Sequence, residues 1–316
     1  LWKTDGTEAG TMMVKDINAG NINTSFSSLT VANDLMYFIC GTSDYGTELW
    51  RTDGTEAGTF MLKDIYPGVG SSSVSNLTVV NDKLFFTAYE TINGQELWMT
   101  DGSTANTTMV ADINAGAGHS SPGNLREFNG KLLFTATLPD TGAELWISDG
   151  TAAGTQLLRD IFPGTNSASI SMLAISNDKA FFRANDPVNG LEVWVTDGTT
   201  DGTILLKDIY PGTGSGNPAF LAIYNDIMYF NASDGVNGNE IWRTDGTESG
   251  TWLLKDINPG TGNSSTSIGG VDGKYFYFRA NDGTNGNELW KTDGTSEGTV
   301  MVKDMNAGTG SINGIS

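Results

Sequence analysis

The chain has 316 residues, 41 of them Gly and 38% hydrophobic, enough for one large domain or two ordinary ones, and none of its apolar runs approaches the roughly 20 residues of a membrane-spanning helix. The 17 Lys and Arg against 37 Asp and Glu leave a net charge of −20, which repels nucleic acid and anionic lipid and argues against both as partners. A single cysteine, Cys40, permits no internal disulfide, and a single histidine, His119, leaves no imidazoles for a metal cluster or a repeated catalytic triad.

Leu1 enters in the middle of a motif, with no Met, charged leader or apolar leader core, so residues 1–316 read as a single domain within a longer polypeptide. Trp2, Trp50, Trp98, Trp146, Trp194, Trp242 and Trp290 stand 48 residues apart, a spacing that marks a repeat architecture. A Gly-rich turn follows the Trp, as in Asp53-Gly54-Thr55-Glu56-Ala57-Gly58, and then an apolar run, Phe60 to Ile65, read as one strand. Pro67-Gly68 and relatives at Pro163, Pro211 and Pro259 stop that strand. The next strand runs from Ser75 to Val80, meets the turn Asn81-Asp82 and continues as Leu84-Phe85-Phe86-Thr87-Ala88. Copies of that turn are Asn33-Asp34, Asn129-Gly130, Asn177-Asp178, Asn225-Asp226 and, one place earlier, Asp272-Gly273. Such pairs tolerate the positive φ at both positions that a type I′ hairpin requires. A polar loop carrying Gly94 or its copies then leads to the strand that begins Glu96-Leu97-Trp98.

Four antiparallel strands per unit predict an all-β fold, a β-propeller of four-stranded blades. Runs such as Leu84-Phe85-Phe86 suit strands covered on both faces by neighbouring blades, with Leu62, Phe86, Leu97 and Trp98 in contact within or between them. No 3.6-residue apolar period supports a helical solenoid. Residues 1–28 and 289–316 occupy the same phase of the repeat, so the predicted count is seven blades with the closing blade incomplete, ahead of six blades or an open array.

The phrase Glu48-Leu49-Trp50-Arg51-Thr52-Asp53-Gly54-Thr55, its Lys63-Asp64-Ile65 sequel and their copies resemble the ELWxxDGT repeats of large secreted and surface proteins of bacteria. The resemblance spans the chain, with departures at Asn106, where other copies have Gly10 or Gly58, and at Ala111, where they have Lys15 or Lys63. It implies an extracellular or cell-surface propeller and carries over no catalytic residue.

The lattice tryptophans read as core anchors, Cys40 as a buried stand-in for the Ala of other copies, and His119 as a polar loop residue. Each Glu before Leu-Trp and each Asp of the Asp-Gly turns reads as structural, bound to a cation, a backbone amide or its own turn. Trp252 replaces residues as varied as Phe60 and Gln156 and is a candidate ligand contact. Arg126 and Glu127, where the preceding copy has Thr78 and Val79, are the clearest local break in symmetry and the other ligand candidates. For a metal, Asp234, Asn237, Asn239 and Glu240, matched by Asp282, Asn285, Asn287 and Glu288, offer the hard oxygens calcium takes. No other cofactor is implied. Because the loops are uniform in length, the leading expectation is a non-catalytic adhesion or scaffold module that binds glycan or a surface or secreted protein through repeated blade loops. The alternative is a hydrolase or lyase using acidic residues at the channel rim.

Overall fold

The structure is a computed structural model that describes residues 1–19, 23–308, 310 and 311. Its described residues form strands and turns, with no helix among them. The chain divides into two compact units, Leu1–Leu157 and Leu158–Ser316.

The first unit opens with β1 (Trp2–Lys3) and β2 (Met12–Met13), which pair as a two-stranded sheet. The first full sheet holds β3 (Phe26–Ala32), β4 (Leu35–Thr42), β5 (Gly46–Thr52) and β6 (Phe60–Met61). The second holds β7 (Ser75–Val80), β8 (Lys83–Glu90), β9 (Gly94–Thr100) and β10 (Thr108–Ala111). The third holds β11 (Gly123–Phe128), β12 (Lys131–Leu138), β13 (Gly142–Ser148) and β14 (Gln156–Arg159), whose last residues pass the division between units. In the second unit β15 (Ser171–Ser176), β16 (Lys179–Asp186), β17 (Gly190–Thr196) and β18 (Ile204–Lys207) form the fourth full sheet. The fifth is β19 (Ala219–Tyr224), β20 (Ile227–Ser233), β21 (Asn239–Thr244) and β22 (Trp252–Lys255). The sixth is β23 (Ser267–Val271), β24 (Phe276–Asn281), β25 (Asn287–Thr292) and β26 (Val300–Lys303).

Every full sheet is an antiparallel meander with its strands in chain order. Among the described residues, six four-stranded blades and one two-stranded blade give the β-propeller class, with the seven blades that the repeat predicted. First strands of successive blades lie side by side, β3 with β7 and β7 with β11 in the first unit, β15 with β19 and β19 with β23 in the second.

Local chemistry explains the meander. Asn33, Asp34, Asn81, Asp82, Asn225, Asp226, Asn129 and Gly130 all take positive φ, so four hairpins have the predicted turn. Asn177 does so without Asp178. At Asp272-Gly273 only the Gly has positive φ, and the Asp272 carboxylate instead accepts the amides of Lys274 and Tyr275. The fourth strand is shorter than the run Phe60 to Ile65 predicted. Pairing slips by one residue at its end, as between Met109 and Ala111, and the amides of Ile65 and Tyr66 turn away from the ladder to the Glu48 carboxylate.

The core lies between blades. Tyr37, Ile39, Leu49 and Leu62 of the first full sheet pack on Leu84, Phe86 and Trp98 of the second. Leu97, one residue from Trp98, points to the opposite face and joins Leu132, Phe134 and Trp146 of the third. Six lattice tryptophans are 3–8% exposed, and Phe38, Phe86, Phe134 and Phe182 each lie opposite the Trp of their own blade at 6.4 Å between ring centroids. Cys40 is buried in the Ala position, where desolvation pushes its thiol up to about 11.

Cations strap one blade to the next. Lys63 Nζ donates to Thr107 O at 3.3 Å, with parallel bonds from Lys15 to Thr59 O, Arg159 to Thr203 O and Lys255 to Thr299 O. Arg51 and Arg243 reach Gly102 O and Gly294 O at 2.9 Å. Asn33 and Asn81 side chains tie their hairpins to Asp82 O and Gly130 O of the next blade.

Candidate functional site

The repeated carboxylates are spent on the fold. Asp53 Oδ1 accepts the amide of Thr55 at 2.9 Å and its hydroxyl at 2.6 Å, while the same hydroxyl oxygen takes the Gly58 amide at 3.0 Å. The Thr55 hydroxyl and amide hold the Asp53 carboxyl below the usual carboxylate range. A Cβ on Gly58 would sit 2.0 Å from Asp53 Oδ1, which explains the Gly there. In the departing copy, the Asn106 side chain donates to Asp101 Oδ2 at 2.6 Å and keeps the turn closed another way.

Each described Glu before the Trp is fully buried at Glu48, Glu96, Glu144, Glu192, Glu240 and Glu288. Glu48 accepts the amides of Ile65, Tyr66 and Ser72 and the Ser72 hydroxyl. Burial outweighs these bonds and pushes Glu48, Glu192 and Glu240 up to about 7. No water-exposed rim acid exists at these positions.

The predicted calcium loops separate in the structure. Asp234 Oδ1 accepts the amides of Val236 and Asn237, and its Oδ2 accepts the Asn237 side chain, so both oxygens close an Asx turn. Asn239 N donates to Asn263 Oδ1, and Glu240 turns into the core to take the Ile257 amide. The second loop repeats this with Asp282 and Asn285, while Asn287 N goes to Ser311 Oγ and Glu288 to the Met305 amide. Asp234 and Asn237, like Asp282 and Asn285, thus share one turn, whereas Glu240 and Glu288 lie on the strand that follows and are buried, with Oε2 on a backbone amide. Among the described residues no three Asp, Glu, His or Cys side chains converge on a metal position.

Of the ligand candidates, Trp252 is half-buried beneath the Arg243 guanidinium, 5.1 Å from its ring centre. Glu127 Oε1 accepts the Gly130 amide at 2.9 Å and caps its own hairpin. Arg126 points the other way, exposed, with one N–H on Leu125 O. It stands at an open pocket of about 310 Å³ between adjacent first strands, lined by Asn76, Leu77, Thr78, Asn124, Leu125 and Arg126. A bulge in each strand, with Asn76 and Asn124 at φ of 56° and 52°, pushes these segments outward. The Asn76 side chain crosses to Pro122 O and holds the two strands together. Sequence reasoning missed both asparagines. Their signal is positional: the equivalents in the second unit are Met172, Phe220 and Ile268, so the amides belong to the first unit alone. His119 is exposed, as expected of its loop, but is held, its ring stacked on Tyr89 at 5.5 Å and its Nδ1 accepting the Gln95 amide.

No protein-family model and no curated protein matches the chain. Among solved structures it is similar to a prolyl endopeptidase, with 14% identity over 88% of this chain and 43% of that one, at a TM-score of 0.48. Oligopeptidase B from Leishmania major shares 15% identity over 98% of this chain and 45% of its own, at 0.46, and puromycin hydrolase 13% over 92% and 46%, at 0.43. The chain thus spans somewhat under half of each of these proteins. The expectation of a non-catalytic adhesion or scaffold module is corrected: the solved structures to which the chain is similar are a prolyl endopeptidase, an oligopeptidase and a puromycin hydrolase.

Proposed function

We propose that the chain is the propeller module of a larger hydrolase acting on peptides, and that it contributes substrate contacts while the hydrolytic groups lie outside it. The pocket at Arg126 carries this reading. It combines the one blade-specific cation of the first strands with two amide side chains and strand backbone, a donor set suited to a peptide carboxylate and its neighbouring amides. The fate of two sets of repeated acids supports the second half of the proposal, because each described Glu before the Trp is buried and the Asp of the Asp-Gly turn is bound to its own turn. The acidic surface favours neutral or basic peptides with a local carboxylate over polyanions, and the repeat resemblance supports an extracellular or cell-surface address.

The test is peptide binding by calorimetry beside a hydrolysis assay on the same chain. Arg126→Ala is expected to weaken binding of a peptide with a free carboxylate about tenfold, with Glu127→Gln near parental. Hydrolysis by the chain alone would refute the reading, as would binding indifferent to Arg126.

A further inference from the structure

The hairpin between β11 and β12 differs chemically from its copies. Four of them read Asn33-Asp34, Asn81-Asp82, Asn177-Asp178 and Asn225-Asp226, whereas the third full sheet has Asn129-Gly130. A side chain on the residue after an Asn shields the backbone nitrogen between them, and a Gly leaves that nitrogen open to the neighbouring carboxamide.

Two contacts single the pair out further. Asn129 is exposed, and its carboxamide has no hydrogen-bond partner among the described residues. The Gly130 amide donates to Glu127 Oε1 at 2.9 Å, inside the reach of about 2.6–3.2 Å that a general base needs. The other described Asn-Gly pairs are held. Asn93 donates its carboxamide to Glu90 Oε1, and Asn189, Asn237 and Asn285 donate theirs to Oδ2 of Asp186, Asp234 and Asp282 at 2.7–2.9 Å, so each carboxamide carbon is fixed in its own turn.

We propose that Asn129 is a self-modification site, at which Glu127 promotes cyclisation of the Asn129-Gly130 pair and its conversion to aspartate and isoaspartate. The Glu127 carboxylate draws the proton from the Gly130 nitrogen, and that nitrogen attacks Asn129 Cγ. The new N–Cγ bond forms as the Cγ–Nδ2 bond breaks, and the proton leaves with Nδ2 as ammonia. Water then opens the succinimide ring, at one carbonyl to give aspartate at position 129 and at the other to give isoaspartate. Water is the only co-reactant, and no electrons change hands.

The turn carries the consequence into the fold. Isoaspartate routes the chain through the former side chain and adds a backbone atom to the hairpin, so the type I′ turn no longer closes in register. Gly130 O accepts Asn81 Nδ2 from the preceding hairpin at 2.6 Å, and its displacement breaks that tie between the second and third full sheets. The hairpin is a weak point that develops as the chain ages.

The test holds the intact chain at neutral pH for days and maps its peptides by mass spectrometry, each conversion of amide to acid adding about 1 Da. Asn129 is expected to convert first, at least about tenfold faster than Asn93, Asn189, Asn237 and Asn285 in the same molecules. Glu127→Gln keeps an oxygen for the Gly130 amide and removes the base. It should slow conversion at Asn129 about tenfold or more, while circular dichroism and melting match the parent. In concentrated urea these Asn-Gly pairs should convert at similar rates, with no effect of Glu127→Gln. A folded chain in which Asn129 is no faster than the held pairs, or is unaffected by Glu127→Gln, would overturn the proposal. Slowing of equal size in urea would overturn it too, by tracing the effect to local sequence rather than to the folded contact.

Discussion

Buried Glu48, Glu96, Glu192 and Glu240, whose carboxyls burial pushes up, make stability depend on pH in a direction opposite to ordinary acid denaturation, and Glu48 permits a single-site test. In the unfolded chain its carboxyl titrates near 4.5, and in the fold near 7 because burial disfavours the charge. A folded value above the unfolded one stabilises the fold fully below about pH 4.5, and that contribution is lost as pH rises through about 7. The difference corresponds to at most about 3 kcal/mol, and water reaching the amide cradle reduces it to the order of 1 kcal/mol. In a unit of this size that moves the melting temperature by about 2–4 °C. Melting measured by calorimetry between pH 5 and pH 8 is therefore expected to fall with rising pH, and Glu48→Gln, which resembles the neutral acid, should remove about 2–4 °C of the fall in the first unit. Below about pH 4 the sign reverses, because the Asp53 and Asp101 carboxyls sit below their ordinary range and lose their turn bonds on protonation. A melting temperature flat or rising from pH 5 to pH 8, or a slope unchanged by Glu48→Gln, would refute the reasoning.

Chemical denaturation should separate two chemically identical substitutions: Trp98→Ala is expected to cost about 3–5 kcal/mol through lost burial and the cavity left, and Trp2→Ala within about 0.5 kcal/mol at its exposed site. Gly58→Ala should cost about 1–3 kcal/mol by driving a methyl into Asp53, whereas Gly58→Asn, which can donate to that carboxylate as Asn106 does, should cost less by the same measurement. Ala111→Lys should raise stability by about 0.5–1 kcal/mol by restoring a strap to Thr155 O, the position matching Thr107 O in the Lys63 bond; no gain in melting temperature would count against the straps as stabilising contacts.

The period, the hairpins and the burial of Cys40 and of six tryptophans could be read from the sequence because each depends on local chemistry repeated in register. A two-residue turn needs residues that tolerate positive φ, and an apolar run needs cover on both faces. The straps were not legible, since Lys63 and Thr107 lie 44 residues apart and nothing in either residue names its partner until blades are stacked. The shortened fourth strand escaped for a related reason: the competitor for the Ile65 amide is a carboxylate 17 residues upstream.

Strand alternation separates residues that stand together in the sequence. Oxygen-bearing residues close together in sequence looked like one ligand set, but the loop passes into a strand at Asn239, and strand alternation sends Glu240 to the core. The same alternation parts Arg126 from Glu127, sending one to the pocket and the other to the turn. Composition within a short window therefore misleads wherever a strand runs through it. Comparison of one position across copies does not, because residues one period apart share a face. By that measure Asn76 and Asn124, against Met172, Phe220 and Ile268, and Arg126, against Ala174, Ala222 and Gly270, mark the first unit's first strands as distinct from those of the second, and a repeat that carries chemistry on some copies only must show it at such positions.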